Sequence, residues 1–277
     1  MESLLELLGE TAPYSGFFDV TADNDVVRGW FRPEQPRHAE TTLLSCSEAL
    51  RYLGLHTGLT CAAANPVKAR HYYLAIRADL QVFPVEATRS EVFLCVSRLE
   101  ARDDSRAFPI CQVSGVFLTD TGERYAEVEG RVLALTEEAF VGLKGRDAVT
   151  SPSWSPGQPS PYLEPLRPMA LEWMEPGRML RATLPGFRRE DFAGHFDLRA
   201  LCPGSLLSAN ACSLVSHFPG YGRYWISRCV ASFKDVAVPG QAQTLTCVFD
   251  GDGQFRVSVE SAEGKRLAGF KLEAHPV

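Results

Sequence analysis

His195 stands in the triplet Gly194-His195-Phe196, eight residues before Pro203-Gly204. An imidazole titrates near neutrality, so it can take a proton and return it. Pro203 suits a helix start, and the run from Pro203 to Phe218 is apolar and rich in small residues. The Gly204 amide therefore falls at a predicted helix N-terminus, where backbone N–H groups attract negative charge. Cys202 adjoins these residues but has no evident base to activate it. His217, in His-Phe-Pro-Gly, falls late in the same predicted helix and reads as a helix-end residue. His56 and His71 read as core or surface histidines. The eight cysteines, at 46, 61, 95, 111, 202, 212, 229 and 247, form no CxxC pair and have no histidines at zinc-finger spacing. Several sit in apolar runs, so they are expected as buried, reduced thiols. No metal and no cofactor is expected.

The elements that must position these residues recur twice. The first half opens with a strand-like stretch, GFFDVTADNDVVRGWF, with turn material at Asp23, Asn24 and Asp25. A helix is predicted from Thr41 to Leu59, weakened by Gly54 and Gly58. Four extended segments follow: HYYLAIRADLQVFPV, SEVFLCVSRLEARD, FPICQVSGVFLTDTG and RYAEVEGRVLAL. The second half repeats the order. MLRATLPGF is a strand candidate, the Pro203–Phe218 helix comes next, and four extended segments close the chain. Asp-Gly-Asp-Gly at 250–253 is a strong hairpin signal. Between the halves lies a Pro- and Ser-rich stretch, Ser151 to Met169, which cannot hold a regular helix or central strand. It reads as a linker or a covering excursion. Helices this apolar need a sheet wrapped around them. The order implies an internal duplication, with edge-to-edge pairing of the two sheets as one way to hide their open edges.

The segment AGHFDLRALCPGSLLSANA, Ala193 to Ala211, resembles the active-site motif of the FabA/FabZ hotdog dehydratases: Gly-His-Phe, a loop ending in Pro-Gly, then the central helix. EPGRMLRATLPGFRREDF and YWISRCVASFKDVAVPGQ resemble the family's flanking strands. The likeness is clearest over residues 165–277 and weaker in the first half. It implies an α+β fold: a double hotdog, two antiparallel sheets each wrapping a central helix, joined as a pseudo-dimer. Residues 1–150 would form the N-terminal module and 151–277 the C-terminal one. The family carries an acid on the central helix fourteen residues after the His, and that position is Ala209 here. SEALRYLG, Ser47 to Gly54, resembles the acid-bearing stretch of the family's helix and puts Glu48 at the acid position. The corresponding His position in the first half falls near Glu34, and no His is there. The resemblance thus implies one composite site from His195 and Glu48, and an inactive counterpart from Glu34 and Ala209.

The implied substrate is a 3-hydroxyacyl thioester on acyl carrier protein or coenzyme A, in fatty-acid or polyketide-type biosynthesis. His195 would take the α proton. Glu48, its pKa raised by an apolar tunnel, would assist the departing hydroxyl. The Gly204 amide would stabilise the thioester oxygen, with the Ser205 amide as a second donor. Lys68, Arg70, Arg223, Arg228 and Lys234 are candidates for phosphopantetheine or an acidic carrier surface, with ordinary solvated charge as the simpler reading. The alternatives are a hotdog thioesterase and a degenerate, non-catalytic acyl-binding module.

Composition sets the outer bounds. With 28 Lys plus Arg against 34 Asp plus Glu, the net charge of −6 argues against a nucleic-acid partner. No stretch approaches 18 consecutive apolar residues, so no membrane span is expected. MESLLELLGE lacks the basic flank and long apolar core of a secretory signal and reads as a short packed helix. A cytoplasmic protein is expected, with a homodimer of double-hotdog chains as one arrangement.

Overall fold

The computed structural model describes residues 4–23, 25–86, 89–143 and 149–277. Asn24, the middle of the predicted first turn, lies outside them. Strands β1 (Phe17–Asp23) and β2 (Val26–Phe31) flank that turn and precede helix α1 (Cys46–Ala64). Then come β3 (His71–Val82), β4 (Phe93–Asp103), β5 (Ile110–Thr119), β6 (Arg124–Thr136) and the short helix α2 (Glu137–Gly142). The second half contains β7 (Ala170–Glu175), β8 (Met179–Leu184) and α3 (Gly204–Ser213). It ends with β9 (Tyr224–Phe233), β10 (Gln243–Gly251), β11 (Gln254–Ser261) and β12 (Arg266–Pro276).

All twelve strands belong to one antiparallel sheet, in the order β1-β2-β4-β5-β6-β3-β9-β12-β11-β10-β8-β7. Read inward from each edge, the halves have the same order: first, second, fourth, fifth, sixth, third. That identity of topology is the duplication expected from the element order. The two sheets expected from the resemblance are, however, a single sheet. The third strands of the two halves pair, from Arg77↔Ser232 to Gln81↔Arg228. Arg228 closes the seam through both carboxylate oxygens of Asp79, at 3.1 and 2.9 Å. Pairing the third strands removes two edges that would otherwise expose unpaired backbone groups. The large antiparallel sheet with few helices is consistent with the hotdog fold.

Helix α1 is buried around nearly its whole circumference because the sheet and α3 enclose it. Its entry is set by Ser45, whose hydroxyl accepts from the Glu48 amide at 3.2 Å. Helix α3 packs on α1, β11 and β12. Strand β7, not foreseen from the sequence, is exposed along its whole length because it forms the outer edge of the sheet. All eight cysteines are free and buried. Among the described residues, no helix is long and apolar enough to cross a membrane.

Candidate active site

The loop carrying His195 is held by tight backbone geometry. Gly194 has φ +79° and Phe196 φ +55°, so both neighbours of His195 occupy the left-handed region. A Cβ on Gly194 would lie 2.5 Å from the Thr11 carbonyl oxygen, so only glycine lets the N-terminal segment approach here. The Pro/Ser-rich stretch straps the loop down. The Ser151 hydroxyl donates to the carbonyls of His195 and Phe196 at 3.0 and 2.7 Å, and Tyr162 donates to that of Ala193 at 2.9 Å. Farther along, Asn210 on α3 accepts from the Arg167 amide and donates to the Pro165 carbonyl. The stretch is therefore a covering excursion bonded to the site, more than a tether.

His195 is 7% exposed, with Nδ1 2.9 Å from the Leu201 carbonyl oxygen. A carbonyl can only accept, so in the neutral ring Nδ1 carries the hydrogen and Nε2 is the basic nitrogen. Burial pushes the imidazole pKa down to about 4, partly offset by the Leu201 bond, and the Arg51 charge lowers it further. The ring is thus uncharged at neutral pH. Tyr14 packs edge-on against it at 4.6 Å.

A cavity of about 270 Å³ brings together His195, Gly204, Tyr14 and Glu10. Leu50, Leu53, Gly54 and Thr57 of α1 form one wall. The rim includes the exposed Arg77 and Lys234. Gly204 is the first residue of α3, so its amide belongs to the turn that has no intrahelical partners. A Cβ there would lie 2.8 Å from the Phe233 ring, which accounts for glycine sterically as well. Cys202 also lines the cavity, but burial pushes its thiol well above the usual value, which disfavours the nucleophilic thiolate.

Glu48 is fully buried but does not line this cavity. Its Oε1 accepts from the amides of Glu34 and Gln35 at 2.6 and 3.1 Å, and its Oε2 has no partner. Burial raises its pKa to about 7, opposed by those backbone bonds and by Arg51. Glu34, near which the resemblance puts the first half's His position, is ion-paired with Arg51. Arg51 is itself buried, donates to the carbonyls of Pro13 and Tyr14, and lies over the rings of Tyr162, Tyr52 and Tyr14 at 4.5, 5.2 and 5.3 Å. The path from Glu48 to His195 therefore runs through the 34–35 loop, Arg51 and Tyr14. The structure places His195 and Gly204 on one cavity, which Glu48 does not line.

A second cavity, also about 270 Å³, includes Ala209, Ser213, His217, Arg37 and His38. Of the proposed carrier-binding cations, only Lys234 lines the first cavity. Lys68 instead caps α1 through the Ala62 and Ala63 carbonyls, and Arg70 pairs with Asp197 at 2.7 Å. Glu10 and Tyr14 were not legible in the sequence, because nothing in MESLLELLGETAPY beyond its leucine spacing shows where that segment docks. Among the described residues, no group of three or more His, Cys, Asp or Glu side chains could hold a metal ion.

No protein-family model matches the sequence, and no curated protein matches it. Solved structures do match its fold. An acyl-ACP thioesterase from Bacteroides thetaiotaomicron superposes with a TM-score of 0.56 at 12% identity, over 91% of this chain and 98% of that one. The 12:0-ACP thioesterase from Umbellularia californica gives 0.57 at 10% identity, over 93% and 100%. An acyl-CoA thioesterase II from Mycobacterium marinum gives 0.52 at 10%, over 94% and 96%. These likenesses span nearly the whole chain and establish the fold; the activity must be argued from the residues of the site.

Proposed function

We propose that the protein is a pair of fused hotdog modules, residues 1–150 and 151–277, that dehydrates a 3-hydroxyacyl thioester to a 2-enoyl thioester. The observation that carries this reading is His195: an uncharged imidazole with Nδ1 committed to a carbonyl, lining the cavity that Gly204 also lines. Nε2 takes the α proton. The Gly204 amide, at the positive end of α3, stabilises the thioester oxygen as charge develops on it. The apolar wall of α1 receives the acyl chain, and Lys234 and Arg77 at the rim suit the phosphate of a pantetheine arm on acyl carrier protein or coenzyme A. Glu48, the acid position of the FabA/FabZ pattern, acts in this reading as a positioning residue. It holds the loop that pairs Glu34 with Arg51, and Arg51 supports Tyr14 against His195.

The second reading is hydrolysis of an acyl thioester, the activity of the three thioesterases whose fold it shares. One assay separates the two. The purified chain is incubated with 3-hydroxyacyl thioesters of several lengths while enoyl absorbance and free thiol are followed together. Enoyl formation without thiol release supports dehydration. Thiol release without enoyl supports hydrolysis and overturns the first reading.

A further inference from the structure

Glu10 lies in the site although no sequence motif points to it. The Thr11 amide donates to the Gly194 carbonyl at 2.8 Å, and the Asp197 amide donates to the Gly9 carbonyl at 3.0 Å. Residues 9–11 are thereby laced to residues 194–197, with Glu10 and His195 both between the two bonds. Gly9 is required for this approach, because a Cβ there would collide with the Tyr72 ring. Glu10 is 7% exposed and lines the same cavity as His195. Its Oε2 has no hydrogen-bond partner in the protein, and neither has the Thr57 hydroxyl that lines the cavity from α1. The Ser205 hydroxyl, on another residue that lines the cavity, is unpartnered as well. Unpartnered buried polar atoms are rare and costly, so three on residues of one cavity indicate a polar ligand group that completes them.

Building on the dehydratase reading above, we infer that Glu10 is the catalytic proton donor to the departing β-hydroxyl. The groups facing Glu10 are Arg70, Asp197 and Tyr14. Burial outweighs Arg70 and lifts its carboxyl to about 8, so the group holds its proton at neutral pH. The step balances within the site. The C2–H bond breaks and its proton passes to His195 Nε2. That electron pair forms the C2=C3 double bond. The C3–O bond breaks, and the oxygen leaves as water with the Glu10 proton. The imidazolium then returns a proton to the Glu10 carboxylate.

The test compares two leaving groups. A 3-hydroxyacyl thioester needs a proton on its leaving oxygen, whereas a 3-fluoroacyl thioester expels fluoride without one. Glu10→Gln, close to isosteric, should lower 3-hydroxyacyl elimination by about 100-fold or more while 3-fluoroacyl elimination stays within about threefold of wild type. The retained fluoride release also shows that the variant folds. His195→Ala should lose both activities, and Glu48→Gln should lower both together. Wild-type 3-hydroxyacyl turnover in Glu10→Gln, or selective loss in Glu48→Gln instead, would overturn the Glu10 assignment and leave the dehydratase reading standing. Failure of the wild type to eliminate from either substrate would overturn both.

Discussion

The two halves share one strand order but treat the same loop position differently. In the second half it holds His195, an uncharged ring on a cavity with its basic nitrogen uncommitted to the backbone. In the first half the resemblance puts that position near Glu34, which is ion-paired with the buried Arg51. The helix positions that the FabA/FabZ resemblance matches diverge in the opposite sense: Glu48 on α1 against Ala209 on α3, which has no functional group to offer. A duplicated scaffold can thus concentrate its proposed chemistry at one loop while the counterpart loop stabilises the shared interior. Arg51 links the two, because the carbonyl it holds belongs to Tyr14, the ring packed on His195.

The most severe way to test this contrast is His195→Ala, which should cut turnover about 1000-fold, measured by enoyl formation at saturating substrate. The matching change in the other half should act on stability. Arg51→Met leaves Glu34 unpaired and the Pro13 and Tyr14 carbonyls without their donor. It should cost about 3–5 kcal/mol in chemical denaturation. Adding Glu34→Gln to that variant should recover part of the loss, since the stranded charge is then gone.

A slightly smaller effect concerns pH. The folded pKa of His195, about 4, lies below the ordinary value of 6.5. The unfolded chain therefore binds more protons than the folded one between these values. The ring's contribution is fully present above 6.5 and is lost as pH falls toward 4, an effect of about 3 kcal/mol. Stability of wild type against His195→Gln across that window measures it. Glu10 has the opposite sign. Its folded pKa of about 8 exceeds the usual 4.5, so its contribution is present below 4.5 and lost as pH rises through 8. Glu10→Gln should flatten that alkaline decline.

The sequence made much of this legible. Alternation in segments such as MLRATL placed β8, the Asp-Gly pair near 252 placed the β10–β11 hairpin, and apolar runs placed both central helices. His195 of Gly-His-Phe and Gly204 of Pro-Gly, singled out by that motif, line one cavity. Long-range docking was not legible. The contacts of Glu10 and Tyr14 with the 194–197 loop span some 180 residues of sequence and leave no local pattern. Glu48 has a local cause that competes with the family pattern. It sits three residues after the helix-capping Ser45, where a carboxylate naturally reaches nearby backbone amides, and here it takes those of residues 34 and 35. The single sheet, too, depends on the β3–β9 seam, which joins residues about 150 apart.

A single working site per chain predicts a binding stoichiometry of one. The full chain is titrated calorimetrically with a stable thioether analogue of a 3-hydroxyacyl thioester. One equivalent should bind per chain. Binding should be lost in Gly54→Trp, whose side chain fills the His195 cavity from a position with no neighbour within 4 Å of an added Cβ. Two equivalents per chain, or binding undisturbed in Gly54→Trp, would contradict it.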